Sequence, residues 1–179
     1  MSFPPRPDAA ATGSLPRQGF VLAPDEGDPW WWLGSLNLVK VPGGATSGGL
    51  DIVEHRVPAG YAPPPHVHAR QDEVFYILDG QFTIRCGERT WQAGGGSLVF
   101  LPRGVPHGFV VSGDAPGRTL LINSPAGFAD VVRELGEPAT ELALPGPDVP
   151  VPDPERIAAV AAAHGITPPP APWLPTIQS

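Results

Sequence analysis

The chain predicts an all-β barrel with a short C-terminal helical extension, and three observations carry that prediction. Between Leu36 and Asn123, short apolar-alternating runs are separated by glycine and proline at regular spacing, the pattern of many short strands. Dipeptides suited to tight turns, Asp79-Gly80 and Gly87-Glu88, stand where one run gives way to the next. Apolar residues three and four apart, the helical period, gather only after Pro125.

Residues 1–18 hold four prolines and little periodicity, and are expected to form an extended N-terminal arm. The barrel is expected over 19–125, with a short edge strand at Gly19–Ala23. Three consecutive tryptophans, Trp30 to Trp32, are a dense apolar load that anchors an N-terminal strand against the barrel or a partner. Leu36–Val41 reads as a strand and 42–49 as a glycine-rich loop. In Leu50–Val57, alternation sets Asp51, Val53, His55 and Val57 on one face. That face is the more apolar, so His55 is expected to look inward, in a structural place or orienting a ligand.

Asp79-Gly80 predicts a hairpin joining strand 73–78 to strand 81–86, and Gly87-Glu88 predicts the next turn. Further strands are expected at Arg89–Gln92, Ser97–Leu101, from His107 onward, and at Thr119–Asn123. The helical extension covers 126–166. Pro125–Leu135 carries Phe128, Val131, Val132 and Leu135 on one face, and a second helix opens on Asp153-Pro154-Glu155, a cap followed by proline at the first helical position. Gly165 ends it, with His164 read as a solvated or dipole-complementing residue. The last segment, 167–179, is a proline-rich tail.

The chemistry gathers at Gly60–Glu73. In an extended segment residues two apart share a face, so His66 and His68 point the same way, and the prolines at 63–65 favour that extension. After a four-residue turn Glu73 opens the next strand beside them, and His107 is the downstream imidazole that begins a strand. Three imidazoles and a carboxylate suit one divalent first-row metal ion, with positions left for water or substrate. The residues sharing a face with Glu73 and His107 are Phe75, Ile77, Phe109 and Val111, so the expected substrate pocket is apolar apart from the metal. Glu73 is the carboxylate best placed to act as a catalytic base.

These spacings resemble the cupin family. Its first motif is matched without a gap by Gly60, His66, His68, Glu73 and Gly80, and its second by Gly96, Pro102, Gly104 and His107, with Val111 where the family has Asn. The resemblance covers roughly residues 35–125 and implies a jelly-roll type β-barrel. It is similar to single-domain cupins of the quercetin 2,3-dioxygenase-like group. It implies a mononuclear site for Fe, Ni, Mn, Co, Cu or Zn, and a homodimer.

Three functions are expected from it. One is a dioxygenase using dioxygen on a flavonol-like or enolic aromatic compound, a small hydrophobic substrate. Another is a redox-neutral isomerase or cyclase of secondary, polyketide-type metabolism. The last is a non-catalytic small-molecule binder.

With a formal charge of -7, the chain has no basic stripe to neutralise phosphates, which argues against nucleic acid and anionic membranes as partners. It holds no apolar run of the ~18–20 residues needed to span a bilayer, and the N-terminus does not read as a secretory signal, so the cytoplasm is the expected compartment. The single cysteine, Cys86, leaves no intrachain disulfide and reads as a small buried apolar residue.

Overall fold

A computed structural model describes residues 18–170. Of the arm expected over 1–18 only Gln18 is described, and of the tail expected over 167–179 only 167–170, where Thr167 belongs to a short strand; the rest of both lies outside the described residues.

The barrel is built from ten strands: β1 (Asp28–Trp32), β2 (Ser35–Val41), β3 (Asp51–Val57), β4 (Val67–His68), β5 (Asp72–Asp79), β6 (Gln81–Cys86), β7 (Arg89–Gly94), β8 (Leu98–Leu101), β9 (His107–Ser112) and β10 (Gly117–Ser124). Helix α1 (Phe128–Leu135), strand β11 (Glu137–Pro138), helix α2 (Pro154–Ala163) and strand β12 (Ile166–Thr167) follow. One sheet runs β11-β1-β2-β3-β10-β5-β8; β7-β6-β9 and β12-β4 form two smaller ones, bridged by the antiparallel pair His66 and His107. The apolar core joins Val53, Phe75 and Leu121 of the large sheet to Phe82, Ile84 and Val111 of the small one. Opposed inner faces of this kind form the interior of a jelly roll. No helix among the described residues is long and apolar enough to cross a membrane.

Alternation works as expected along β3, where Asp51, Val53, His55 and Val57 are all buried. Glu54 on the opposite face is buried as well, ringed by Arg56 and Arg118 at 2.7 Å and Lys40 at 3.2 Å. Burial opposes ionisation of that carboxyl, yet Arg118, Arg56 and Lys40 together hold it below its usual range. The tryptophans occupy β1, with Trp30 and Trp32 against the main core. Trp31 turns the other way onto Leu36 and Leu38 and donates through Nε1 to the Ala143 carbonyl at 2.8 Å.

The structure corrects four local expectations. Gly19–Ala23 forms no strand. Strand β7 continues through Ala93 and Gly94, held by pairing with Phe82 and Gln81. Helix α1 starts at Phe128 rather than Pro125. Asp79-Gly80 is a corner and not a hairpin: β5 pairs with β10 and β8, whereas β6 pairs with β7 and β9. The chain switches sheets there, and glycine is demanded by contact as well as by turning. Gly80 has φ +88°, and a Cβ would sit 2.8 Å from Gly117 Cα and the Pro116 carbonyl oxygen. Gly87-Glu88 is a true two-residue hairpin, with Cys86 opposite Arg89.

Candidate metal centre

Four side chains from three strands and the loop before them converge. One ligand atom from each of His66, His68, Glu73 and His107 lies within 4.8 Å of the others. His66 and His107 are joined through the backbone, each amide donating to the other's carbonyl at 3.0 Å. Centroids of the imidazoles are 4.7 Å apart for His66 and His107, 4.9 Å for His66 and His68, and 5.4 Å for His68 and His107. His68, Glu73 and His107 are buried and His66 is half-buried.

Hydrogen bonding decides which nitrogen of each ring faces the centre. His66 Nδ1 lies 3.0 Å from the Pro64 carbonyl oxygen and His107 Nδ1 lies 3.0 Å from that of Val105. A carbonyl only accepts, so both Nδ1 atoms carry the proton. Gln71 donates Nε2–H to the Pro125 carbonyl at 3.2 Å, which turns its Oε1 toward His68 Nδ1 at 3.1 Å and makes that nitrogen a donor too. On each ring this leaves Nε2 toward the centre, the nitrogen whose lone pair would bind a metal.

Those lone pairs meet a carboxylate. Glu73 Oε2 is 3.3 Å from His107 Nε2 and 3.7 Å from His68 Nε2, and all three atoms are buried with no hydrogen-bond partner. Buried acceptors facing one another repel unless a cation or proton stands between them. Burial pushes the His66 imidazole down to about 4, with His107 adding to the effect. Burial also opposes charge on Glu73, but the surrounding imidazoles, His107 foremost, hold its carboxyl at about 2. Three imidazoles and one carboxylate turned on one point are a donor set that fits a divalent first-row metal.

The four residues expected to line a pocket belong to the packed apolar core. Phe75, Ile77, Phe109 and Val111 are buried; Phe75 meets Phe109 edge to face with centroids 5.3 Å apart, and Phe109 also packs on Phe82. His55 stacks edge-on with Tyr61 at 5.6 Å and with Phe109 at 6.3 Å. It is buried, which lowers its imidazole to about 4, and among the described residues it makes no hydrogen bond to the four ligands. The side chain that does orient a ligand ring is Gln71. Its position three residues after His68 carries no motif, and only the fold shows that it also reaches Pro125.

Comparison with known proteins agrees with this geometry. Residues 53–123 match the cupin domain family. An uncharacterised protein of Streptomyces coelicolor is 38% identical over 77 residues, covering 42% of this chain and 70% of that relative. The solved structure of KdgF from Halomonas sp. aligns at 19% identity with a TM-score of 0.51, covering 56% of this chain and 91% of that one. A predicted oxalate decarboxylase from Thermotoga maritima aligns at 17% identity with a TM-score of 0.55, covering 59% of this chain and 99% of the other. At such identities the two structures speak for the fold alone.

Proposed function

We propose, from the premise that this chain belongs to the cupin family, that it is a metal-dependent cupin enzyme acting on a flavonol-like or enolic aromatic small molecule, with dioxygen as co-substrate. The observation that carries the reading is the convergence of His66, His68, Glu73 and His107 on one point, with partners on the far side of each imidazole turning its Nε2 inward. A divalent ion held by these residues would acidify a bound enol, phenol or water by stabilising its conjugate base. Glu73, charged at neutral pH and the only carboxylate in the cluster, is placed to take a proton from the substrate. Phe75, Phe109 and Val111 give the reacting end of the substrate an apolar wall with few competing hydrogen bonds.

The test is reconstitution of metal-free protein with iron, nickel, manganese, cobalt, copper or zinc, followed by oxygen uptake with a flavonol such as quercetin. Uptake with at least one metal, lost in Glu73→Gln, is the expected result. Failure of every metal to support oxygen consumption would overturn the dioxygenase. Turnover of an enolisable aromatic under argon would replace it with a redox-neutral isomerase or cyclase, and stoichiometric ligand binding without turnover with a binding protein.

The proposal includes a cytoplasmic homodimer. Tyr76, Leu98 and Phe100 stand exposed on the outer face of the large sheet, in register with the apolar Leu120, Ile122 and Val74, a patch of the kind a second copy covers. Analytical ultracentrifugation of the protein and of Phe100→Glu tests it: a dimer that the variant converts to monomer is expected, and a monomeric parent sinks it.

A further inference from the structure

Five consecutive residues around His68 are held by the part of the chain that follows the barrel. Val67 and His68 pair with Thr167 and Ile166 of β12. The Ala69 amide donates to the Gly165 carbonyl at 2.8 Å, Arg70 Nη2 to the Ala163 carbonyl at 2.9 Å, and Gln71 Nε2 to the Pro125 carbonyl at 3.2 Å. The holding segment is itself braced across its two helices. His164 Nε2 lies 3.0 Å from Glu134 Oε1, and Arg156 Nη2 donates to the Glu134 carbonyl at 2.9 Å. The cupin match ends at residue 123, so this grip comes from sequence outside the matched domain.

We infer that residues 125–167 form a clamp that positions His68 for metal, and that Gln71 is a positioning residue of the centre. The inference rests on the proposed metal site. A two-residue strand has little hydrogen bonding of its own with which to define a geometry. Here β4 is fixed on one flank through His66 and His107, and on the other by β12. Releasing the β12 flank leaves the His68 ring tethered at one side only, and metal geometry is sensitive to displacements of about 0.5 Å. Gln71 links the two ends of the clamp's action: one amide atom sets the His68 ring, the other is bound to the residue that opens the extension.

The experiment loads the full chain with Co(II), then measures transfer to a chelator by the loss of the visible cobalt spectrum. Hydrogen exchange is followed in parallel over 154–167 with and without cobalt. Gln71→Leu, which removes both contacts, should release metal about 10–100-fold faster, the range that outer ligand partners command. Gln71→Glu keeps an acceptor for His68 Nδ1 and should recover much of the loss. Arg70→Ala, a change at an exposed side chain that leaves the barrel core untouched, should speed release several-fold. Because coupling is reciprocal, cobalt should slow exchange in α2 and β12.

Parent-like release from both Gln71→Leu and Arg70→Ala, with exchange over 154–167 indifferent to cobalt, would overturn the clamp and leave the metal site standing. A parent chain that takes up none of cobalt, nickel, iron, manganese, copper and zinc would overturn both.

Discussion

His66 and His107, 41 residues apart in the chain, exchange a reciprocal pair of backbone hydrogen bonds at 3.0 Å each. This pairing ties the segment that carries the first two imidazoles to the strand that carries the third, before any side chain is considered. Glu73 approaches from the opposing sheet, with its Oε2 3.3 Å from His107 Nε2.

Glu73→Gln separates charge from shape at the centre. The amide keeps the volume but removes the only negative charge, so affinity for a divalent ion should fall at least roughly 100-fold, beyond what outer partners contribute. Glu73→Gln retains three imidazoles but no charged ligand. Its melting point should also fail to rise with added metal, whereas that of the parent climbs with concentration. Calorimetric titration and thermal melts with added metal read both effects.

Acidification should destabilise the metal-free protein through His55. Its imidazole is lowered by burial from the ordinary 6.5 to about 4, so the unfolded chain takes up a proton first as pH falls. Stability from this group is complete above pH 6.5, declines between 6.5 and 4, and changes no further below 4. The total is about 3 kcal/mol by the linkage relation. Urea unfolding at pH 7, 5.5 and 4.5 should show the decline, and His55→Gln should flatten it in part, with His66 supplying a parallel slope.

Asp51 holds the first helix to the barrel. Its Oδ2 accepts the Gly127 amide at 2.7 Å and the Ala129 amide at 3.1 Å, capping α1 from β3 across 76 and 78 positions of chain. Asp51→Ala leaves those amides unpaired and should cost about 2 kcal/mol. Asp51→Asn, which retains an acceptor, should cost less. Chemical denaturation of the two variants checks the order.

A glycine pair offers a packing test. A Cβ on Gly117 would run into the Phe82 ring and stand 3.1 Å from Val57 Cγ2, whereas at Gly44 nothing lies within 4 Å. Gly117→Ala should cost about 1–3 kcal/mol by overpacking, and Gly44→Ala should stay within about 0.5 kcal/mol. Equal melting temperatures for the two variants would contradict this packing.

Local chemistry made much of this legible in the sequence. His66, His68, Glu73 and His107 were readable because strand alternation and fixed turn lengths translate directly into shared direction. The inward face of β3 and the cap at Asp153 were readable for the same reason; Asp153 Oδ1 accepts the Arg156 amide at 2.9 Å. The corner at Asp79-Gly80 was misread as a hairpin because a hairpin and a sheet switch ask for the same turn residues. Which strands then pair is decided by contacts with β9 and β10, far along the chain.

From the order of its residues alone, this chain determined a barrel of short strands and four candidate ligands of matching direction, because both follow from periods of two and from turns of a few residues. Only the folded molecule decided which nitrogen each histidine offers, and that residues 125–167 come back to hold His68. Those depend on the carbonyls of Pro64, Val105 and Pro125 and on the pairing of β12 with β4, long-range partners that no local pattern encodes.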